Sequence, residues 1–142
     1  MAYKKQKRVY IAWFPFSAPS DSMAIHVGAR AYHIHYFKKR RMLLAPIKYI
    51  LASFKTLLVL YKERPDIIFV MNPPVFAVLI VWLYCRVNKS KYVVDTHSGI
   101  FTAARWRFFL PLYRFLAKQA LMNMLHNKPQ AHEVAGWGAP SM

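Results

Sequence analysis

The chain has 142 residues, of which 56% are hydrophobic and 16% aromatic. This composition suits one domain with a buried core and excludes a largely disordered polypeptide. Lysine and arginine number 21 against five acidic residues, which gives a net charge of +16. Such a charge attracts nucleic acid, anionic lipid headgroups or phosphorylated substrates. Because the chain is apolar as well as basic, the composition favours a membrane surface, and no nucleic-acid partner is expected.

The N-terminus and the cysteine content indicate the compartment. Residues 9–16 are too short for the apolar segment of a signal peptide, and Pro15 interrupts them. The single cysteine, Cys85, excludes an intrachain disulfide and fits a reducing environment. We therefore expect a cytoplasmic protein.

The first part of the chain is predicted to consist of a basic tail at 1–8 followed by the start of one domain that covers 9–142. β-branched and aromatic runs predict strands, and Asp21 or Ser22 is a suitable N-cap for a helix. In chain order, the predicted elements are a strand at 9–14, a loop at 15–22, a helix at 23–30, a strand at 31–37 and a basic cluster at 38–41.

An amphipathic helix is predicted from about residue 43 to residue 62, where Pro65 prevents its continuation. Lys48, Lys55 and Lys62 recur every seven residues beside its apolar stripe. The stripe is expected to cover a sheet and face the core. The alternative is an interfacial helix whose apolar face enters lipid while its lysines contact headgroups. The stripe consists of Leu43, Leu44, Ile47, Ile50, Leu51, Phe54, Leu57, Leu58 and Tyr61.

Strands and helices alternate through the rest of the chain, which indicates right-handed βαβ units and a parallel α/β sheet of about five strands with helices on both faces. Ligands of such sheets bind outside the carboxyl ends of the strands. The predicted elements are strands at 67–71, 91–95 and 121–126, helices at 75–87, 105–119 and 128–137, and turns at 72–74 and 96–99.

Residues 67–85 carry no formal charge and have the length of a membrane span. Pro73 and Pro74 would break the backbone hydrogen bonding of such a span, and the residues that remain after them are too few. A strand, a turn and a buried helix are therefore favoured. The alternative reading is a small basic membrane protein with one span at 67–85, which acts as an anchor or interaction module.

Two turns and one loop carry the candidate site residues. Asp95 and His97 follow a predicted buried strand, where His97 can donate or accept a proton and Asp95 is the best-placed carboxylate of the chain. The alternative is that both residues are only structural, with Asp95 capping a loop and His97 hydrogen-bonded at the edge of the sheet. Gly99 lets a ligand approach the backbone. Asn72 can form a cleft wall with the prolines that follow it.

The loop before the first helix holds Ser17, whose surroundings could bind an anion through backbone N–H groups. The chain has no glycine-rich nucleotide motif, so no cofactor is expected. It also has no Cys/His spacing of the zinc type, so no metal is expected.

Three segments together resemble the family-four retaining glycosyltransferases. They are RPDIIFVMNPP at 64–74, DTHSG at 95–99 with Trp106 after it, and HNK at 126–128 followed by Glu133 and WGA at 137–139. The family has the GT-B architecture, in which two Rossmann-like domains face each other across a cleft. The N-terminal domain takes the acceptor, often lipid-linked and at a membrane, and the C-terminal domain takes the nucleotide-sugar donor. A glycine-rich first loop, common in the wider family, is replaced here by Phe14-Pro15-Phe16-Ser17.

The resemblance implies an acceptor-side domain of a hexosyltransferase, peripheral to the inner face of a membrane. His97 and Asp95 are the implied catalytic residues. The chain ends at Met142, where the donor domain of the family begins. We therefore expect it to be inactive without a donor domain, which is missing or supplied by a separate chain. The implied substrate-binding residues are Asn72, Pro73, Ser98 and Gly99, and Ser17 is added to them from the possible anion-binding loop before the first helix.

Overall fold

The computed structural model describes residues 5–15, 18–36 and 42–142. Its five strands form one parallel sheet in the order β2-β1-β3-β4-β5. The strands are β1 (Arg8–Ala12), β2 (Arg30–His33), β3 (Ile67–Asn72), β4 (Lys91–Thr96) and β5 (Met122–Leu125). The helices are α1 (Ala18–His26), α2 (Ala45–Glu63), α3 (Val75–Val87), α4 (Gly99–Thr102), α5 (Ala104–Arg107), α6 (Leu110–Gln119) and α7 (Lys128–Gly136), with a short 3₁₀ turn (Met42–Leu44) before α2.

The predicted fold class is confirmed: the protein is an α/β domain of Rossmann-like type with helices on both faces of the sheet. Alternate residues of the strands point to opposite faces. One face packs against α2, α3 and α6 and forms the larger part of the core. The other face packs against α1 and holds Tyr10, Phe69, Met71 and Val93. The central strands β3 and β4 are buried along nearly their whole length, as expected for a parallel sheet that is covered on both faces.

The predicted boundaries in the first part of the chain were wrong. Residues 18–22, predicted as loop, belong to α1, and Arg30, predicted as helical, begins β2. Gly28 adopts a left-handed φ of 66°, which ends the helical path and turns the chain into β2 early. Predicted strand residues 34–36 are not in the sheet, and residue 37 and the basic cluster at 38–41 lie outside the described residues.

Helix α2 covers the sheet with a different face from the one predicted. Its buried residues are Ala52, Thr56, Val59, Leu60 and Glu63. The predicted core-facing stripe points mostly away from the protein, and Phe54 and Leu58 remain 64% and 67% exposed. Small and β-branched residues allow the close approach of the helix to the sheet, so the larger apolar side chains take the opposite face.

Residues 67–85 are divided between β3 and α3. Within the described ranges, no helix combines the length and the apolar character that a membrane span requires. The bounds of α3 match the prediction. The predicted helix at 105–119 is instead interrupted, and α6 begins anew beside Pro111, which lies in its first turn.

Glu63 at the end of α2 joins three elements. Its carboxylate accepts a hydrogen bond from Tyr32 at 2.6 Å and pairs with Lys7 Nζ at 2.9 Å, while Arg30 Nη1 lies 3.7 Å away. The hydrogen bonds from Tyr32 and Lys7 lower the pKa of Glu63 from 4.5 to about 2. The Glu63 carboxylate therefore links α2 to β2 and to the residues before β1 through a hydrogen bond and ion pairs.

We expect Glu63→Gln to lower stability at neutral pH, because the variant loses the charge that Lys7 and Arg30 face. With a folded-state pKa lowered to about 2, the charge contributes fully above the unfolded value near 4.5 and stops contributing as the pH falls through about 2. The difference in urea midpoint between the two proteins should therefore narrow as the pH falls. Glu133→Gln, at an exposed carboxylate of α7, is the matched control and should shift the midpoint little. A difference in urea midpoint between the wild type and Glu63→Gln that stays constant with pH would contradict the stabilising role of the Glu63 charge.

Candidate functional site

One buried carboxylate gathers three polar side chains at the carboxyl edge of the sheet. Asp95 is 1% exposed. Tyr10 donates its hydroxyl to Asp95 Oδ2 at 2.5 Å, and His126 Nε2 lies 2.7 Å from Oδ1. His97 Nε2 is 3.5 Å from Oδ2. We call these four residues the Asp95 cluster.

The strand geometry explains why these residues meet. Asp95 is the penultimate residue of β4 and faces α1, whereas Thr96 faces α6 and hydrogen-bonds Tyr113 at 2.8 Å. Tyr10 points to the same face from β1, where it lies in the smaller core. His126 directly follows β5, the strand beside β4. Parallel strands therefore bring distant sequence positions to one edge.

The electrostatics of the cluster keep Asp95 charged. Burial by itself would raise the pKa of Asp95, but the adjacent His97, Tyr10 and His126 side chains outweigh burial, and the pKa is lowered. The pKa of Tyr10 is raised, first by burial and then by the negative charge of Asp95, although a hydrogen bond with Ser20 acts in the opposite direction. Tyr10 is thus a neutral donor that holds a carboxylate anion in place.

The two histidines make the cluster accessible from outside. Their side chains are 42% and 44% exposed, and their ring centroids are 4.7 Å apart. A buried anion therefore orients two imidazoles that reach the surface. Imidazoles in such a position can exchange a proton with a ligand or bind one through a ring nitrogen.

Asn72 and Pro73 support the loop that carries His97. The Asn72 carbonyl accepts the His97 backbone N–H at 2.8 Å. The Asn72 side chain is fully buried, and its amide has no hydrogen-bond partner among the described residues. Asn72 pairs in register with Thr96, so it faces away from Asp95. The structure therefore separates Asn72 from the Asp95 cluster, and its role in substrate binding stays a prediction.

The remaining predicted site residues lie at the start of α4. Ser98 is exposed, and its hydroxyl makes no capping hydrogen bond to that helix. A Cβ at Gly99 would lie 3.4 Å from Pro73 Cγ, which is an ordinary contact. Packing therefore does not explain why position 99 is a glycine. Ser17 lies outside the described residues.

Sequence reasoning missed Tyr10 and His126 as site residues. His126 could have been found, because it follows a predicted strand as His97 does. Tyr10 could not, because a tyrosine inside a β-strand is an ordinary core residue until its partner across the sheet is known.

The cluster also contains a set of potential metal ligands that the spacing along the chain did not predict. One ligand atom from each of Asp95, His97 and His126 lies within 4.8 Å of the others. The expectation of no metal rested on the spacing of Cys and His along the chain. The three residues instead lie at or just after the carboxyl ends of two strands, β4 and β5.

A separate open cavity lies at the amino-end edge of the sheet, lined in part by Arg86, Lys91 and Cys85. Burial raises the pKa of the Cys85 thiol to about 12, so this thiol is protonated and unreactive at neutral pH. The cavity contains no member of the Asp95 cluster.

We expect Tyr10→Phe to lower the free energy of unfolding by about 1.5–3 kcal/mol at neutral pH, because a buried carboxylate loses a donor. The pKa of Asp95 should also rise toward its ordinary value. The carboxylate then loses its charge at a higher pH as the solution is acidified, so the variant should unfold at a higher pH than the wild type. Urea denaturation across the acidic range measures both effects. Tyr61→Phe, at an exposed tyrosine of α2, should behave as the wild type.

Neither models of known protein families nor curated proteins give a match to this chain. A proposal about function therefore rests on the geometry of the site and on the sequence resemblance alone.

Proposed function

We propose that this protein is the acceptor-binding half of a glycosyltransferase that works at an anionic membrane surface. The observation that carries the proposal is the Asp95 cluster, which presents two oriented imidazoles at the edge where parallel α/β sheets bind ligands. The sequence resemblance to family-four glycosyltransferases supplies the reaction class. Two residues of the cluster, Asp95 and His97, belong to the motif at 95–99 that carries part of this resemblance.

His97 would contact the acceptor and the reacting sugar. Its ring is half exposed, and Asp95 beside it favours a defined ring orientation. His126 and Tyr10 are positioning residues in this scheme, because they hold the carboxylate that orients His97. Ser98 and Gly99 continue the same exposed loop and offer a hydroxyl and close backbone approach. Transfer itself requires a nucleotide-sugar donor bound by a second domain, in the same polypeptide or in a partner.

Helix α2 supports the location at a membrane surface. Six large apolar side chains of α2 lie within an arc of about 100° on the side opposite the sheet. They are Ile47, Ile50, Leu51, Phe54, Leu58 and Tyr61, and all are exposed. We call these six residues the outer stripe. A contiguous exposed stripe of this kind is uncommon on a soluble surface that has no partner.

The charges beside the outer stripe indicate which partner covers it. Lys48, Lys55 and Lys62 lie along one flank, between the stripe and the buried face of α2. Each contributes about 1 kcal/mol of attraction near an anionic bilayer. A bilayer surface offers acyl chains to the stripe and headgroups to the lysines at the same depth.

The orientation of α2 connects the membrane to the candidate site. Because α2 crosses from β2 to a parallel neighbour of β1, it runs antiparallel to the strands. Its first turns therefore lie toward the edge of the sheet that holds the Asp95 cluster. Leu43, in the turn before α2, is 93% exposed there. An acceptor anchored in the bilayer would reach the cluster around this edge, because Asp95 faces α1 on the opposite side of the sheet from α2.

We expect the purified chain to bind short-chain prenyl-diphosphate saccharides and to transfer no sugar from nucleotide sugars alone. His97→Gln should weaken acceptor binding at least about tenfold, which is the loss of one hydrogen bond made by a group of this kind. Isothermal titration with a panel of such acceptors measures the effect.

Gly99→Ala and His132→Gln complete this test. Gly99→Ala should leave the thermal stability nearly unchanged while weakening binding, because its Cβ fits the protein but narrows the approach of a ligand. His132→Gln, at an exposed histidine of α7, should bind as the wild type does. Acceptor binding that is absent in the wild type, or unchanged in His97→Gln, would contradict the proposal.

The outer stripe predicts membrane binding that can be tested separately. Phe54→Glu/Leu58→Glu should lower the partition constant for vesicles that contain phosphatidylglycerol, measured by flotation, by at least about 100-fold, because each apolar side chain contributes about 1.5–3 kcal/mol when buried in lipid. The fold should persist, since both side chains face away from the core.

Ile25→Glu provides the matched control, because Ile25 is 72% exposed on α1 and not on α2. It should float as the wild type does. Equal binding to neutral and anionic vesicles would refute the role of the lysines, and full flotation of the double variant would refute the role of the stripe.

A further inference from the structure

The Asp95 cluster contains one histidine nitrogen that the hydrogen bonds of the cluster do not satisfy. Asp95 Oδ1 is taken by His126, and Oδ2 is taken by the Tyr10 hydroxyl. His97 Nε2 is shielded from solvent, yet it has no hydrogen-bond partner of good geometry within the described part of the chain. Its distance of 3.5 Å from Oδ2 is long for a hydrogen bond. Both imidazoles nevertheless direct the same ring nitrogen toward one carboxylate.

We propose that Asp95, His97 and His126 bind a divalent transition-metal ion of the zinc type. Two imidazoles and one carboxylate are the ligands of three-residue zinc sites, in which a fourth position stays open. Imidazole donors favour zinc and its neighbours in the first transition row over Mg²⁺ and Ca²⁺, which take oxygen ligands.

The distances within the cluster fit this ion. Two ligand atoms that bind zinc tetrahedrally at about 2.1 Å are about 3.4 Å apart. The His126 Nε2–Asp95 Oδ1 distance is 2.7 Å and the His97 Nε2–Asp95 Oδ2 distance is 3.5 Å, on either side of that value, and one ligand atom from each of the three residues lies within 4.8 Å of the others. Side-chain movements of about 1–1.5 Å therefore bring the three ligand atoms to the tetrahedral spacing.

The surroundings of the cluster also suit a metal site. Tyr10 donates to the ligand carboxylate from the core side, which is the outer-shell hydrogen bond that orients metal ligands. Asp95 is buried, whereas both imidazoles are partly exposed. The open position of the ion would therefore face solvent, where it can take a water molecule or an anionic oxygen of a ligand.

This inference extends beyond acceptor binding and is tested without acceptor or lipid. The untagged, metal-free chain of 142 residues is titrated with ZnCl₂ by calorimetry and with CoCl₂ by visible absorption. We expect one ion per chain and the intense absorption of four-coordinate Co²⁺. MgCl₂ should give no binding heat.

Variants then assign the ligands. His97→Gln and His126→Gln should each weaken zinc binding by at least about tenfold, and Tyr10→Phe should weaken it by about tenfold through the carboxylate. Both histidines are partly exposed, so their replacement should leave the fold intact, and circular dichroism checks this. His132→Gln is the control for incidental binding by surface histidines and should change nothing.

Three results would overturn the inference. They are the absence of zinc binding by the wild type, a zinc affinity that is unchanged in either cluster histidine variant, and a zinc affinity that His132→Gln lowers as much as the cluster variants do. The first of these would leave the Asp95 cluster as an arrangement in which the carboxylate orients His97 by charge alone. It would not affect the acceptor-binding test, which contains no added metal.

Discussion

The buried Asp95 carboxylate is the constraint on which the site depends. An unpaired charge inside a protein costs several kcal/mol, so the fold must supply partners for it. It supplies Tyr10 from β1 and His126 from the end of β5, on either side of β4. These partners can converge because parallel strands all end at the same edge. The same carboxylate that is held by these hydrogen bonds also lies beside His97, so the stability of the burial and the geometry of the candidate site share one set of contacts.

Helix α2 meets two different demands on its opposite faces. Toward the sheet it presents small or β-branched residues such as Ala52, Thr56 and Val59, and Thr56 accepts a hydrogen bond from Trp13 at 2.8 Å. Away from the sheet it presents the outer stripe. Exposed apolar faces of this size are typical of interaction surfaces. The proposed function combines the Asp95 cluster and the outer stripe: the protein would rest on lipid while its carboxyl edge would receive a ligand that is anchored there.

The alternation of strand and helix patterns predicted the fold well, because both periodicities are local. The bounds of α3 matched, and β3 and β4 differed by one residue at their carboxyl ends. The first part of the chain was predicted less well, because α1 has almost no segregation of apolar and polar faces and Gly28 rather than a proline ends it. Of the candidate site, the positions of Asp95 and His97 followed from the rule on strand carboxyl ends. Their partners Tyr10 and His126 did not, because contacts between strands leave no local pattern.

The sequence by itself determined the class of the fold, the basic and apolar character of the surface, and the edge of the sheet where polar residues collect. Only the tertiary structure decided which side chains meet at that edge and which face of α2 is buried. The physical reason is the same for both. A helix with apolar residues around most of its circumference can be buried on more than one side, and a carboxylate in a strand can pair with residues of several other strands of the sheet. In each case the packing of distant segments, and not the local sequence, selects among options of similar local energy.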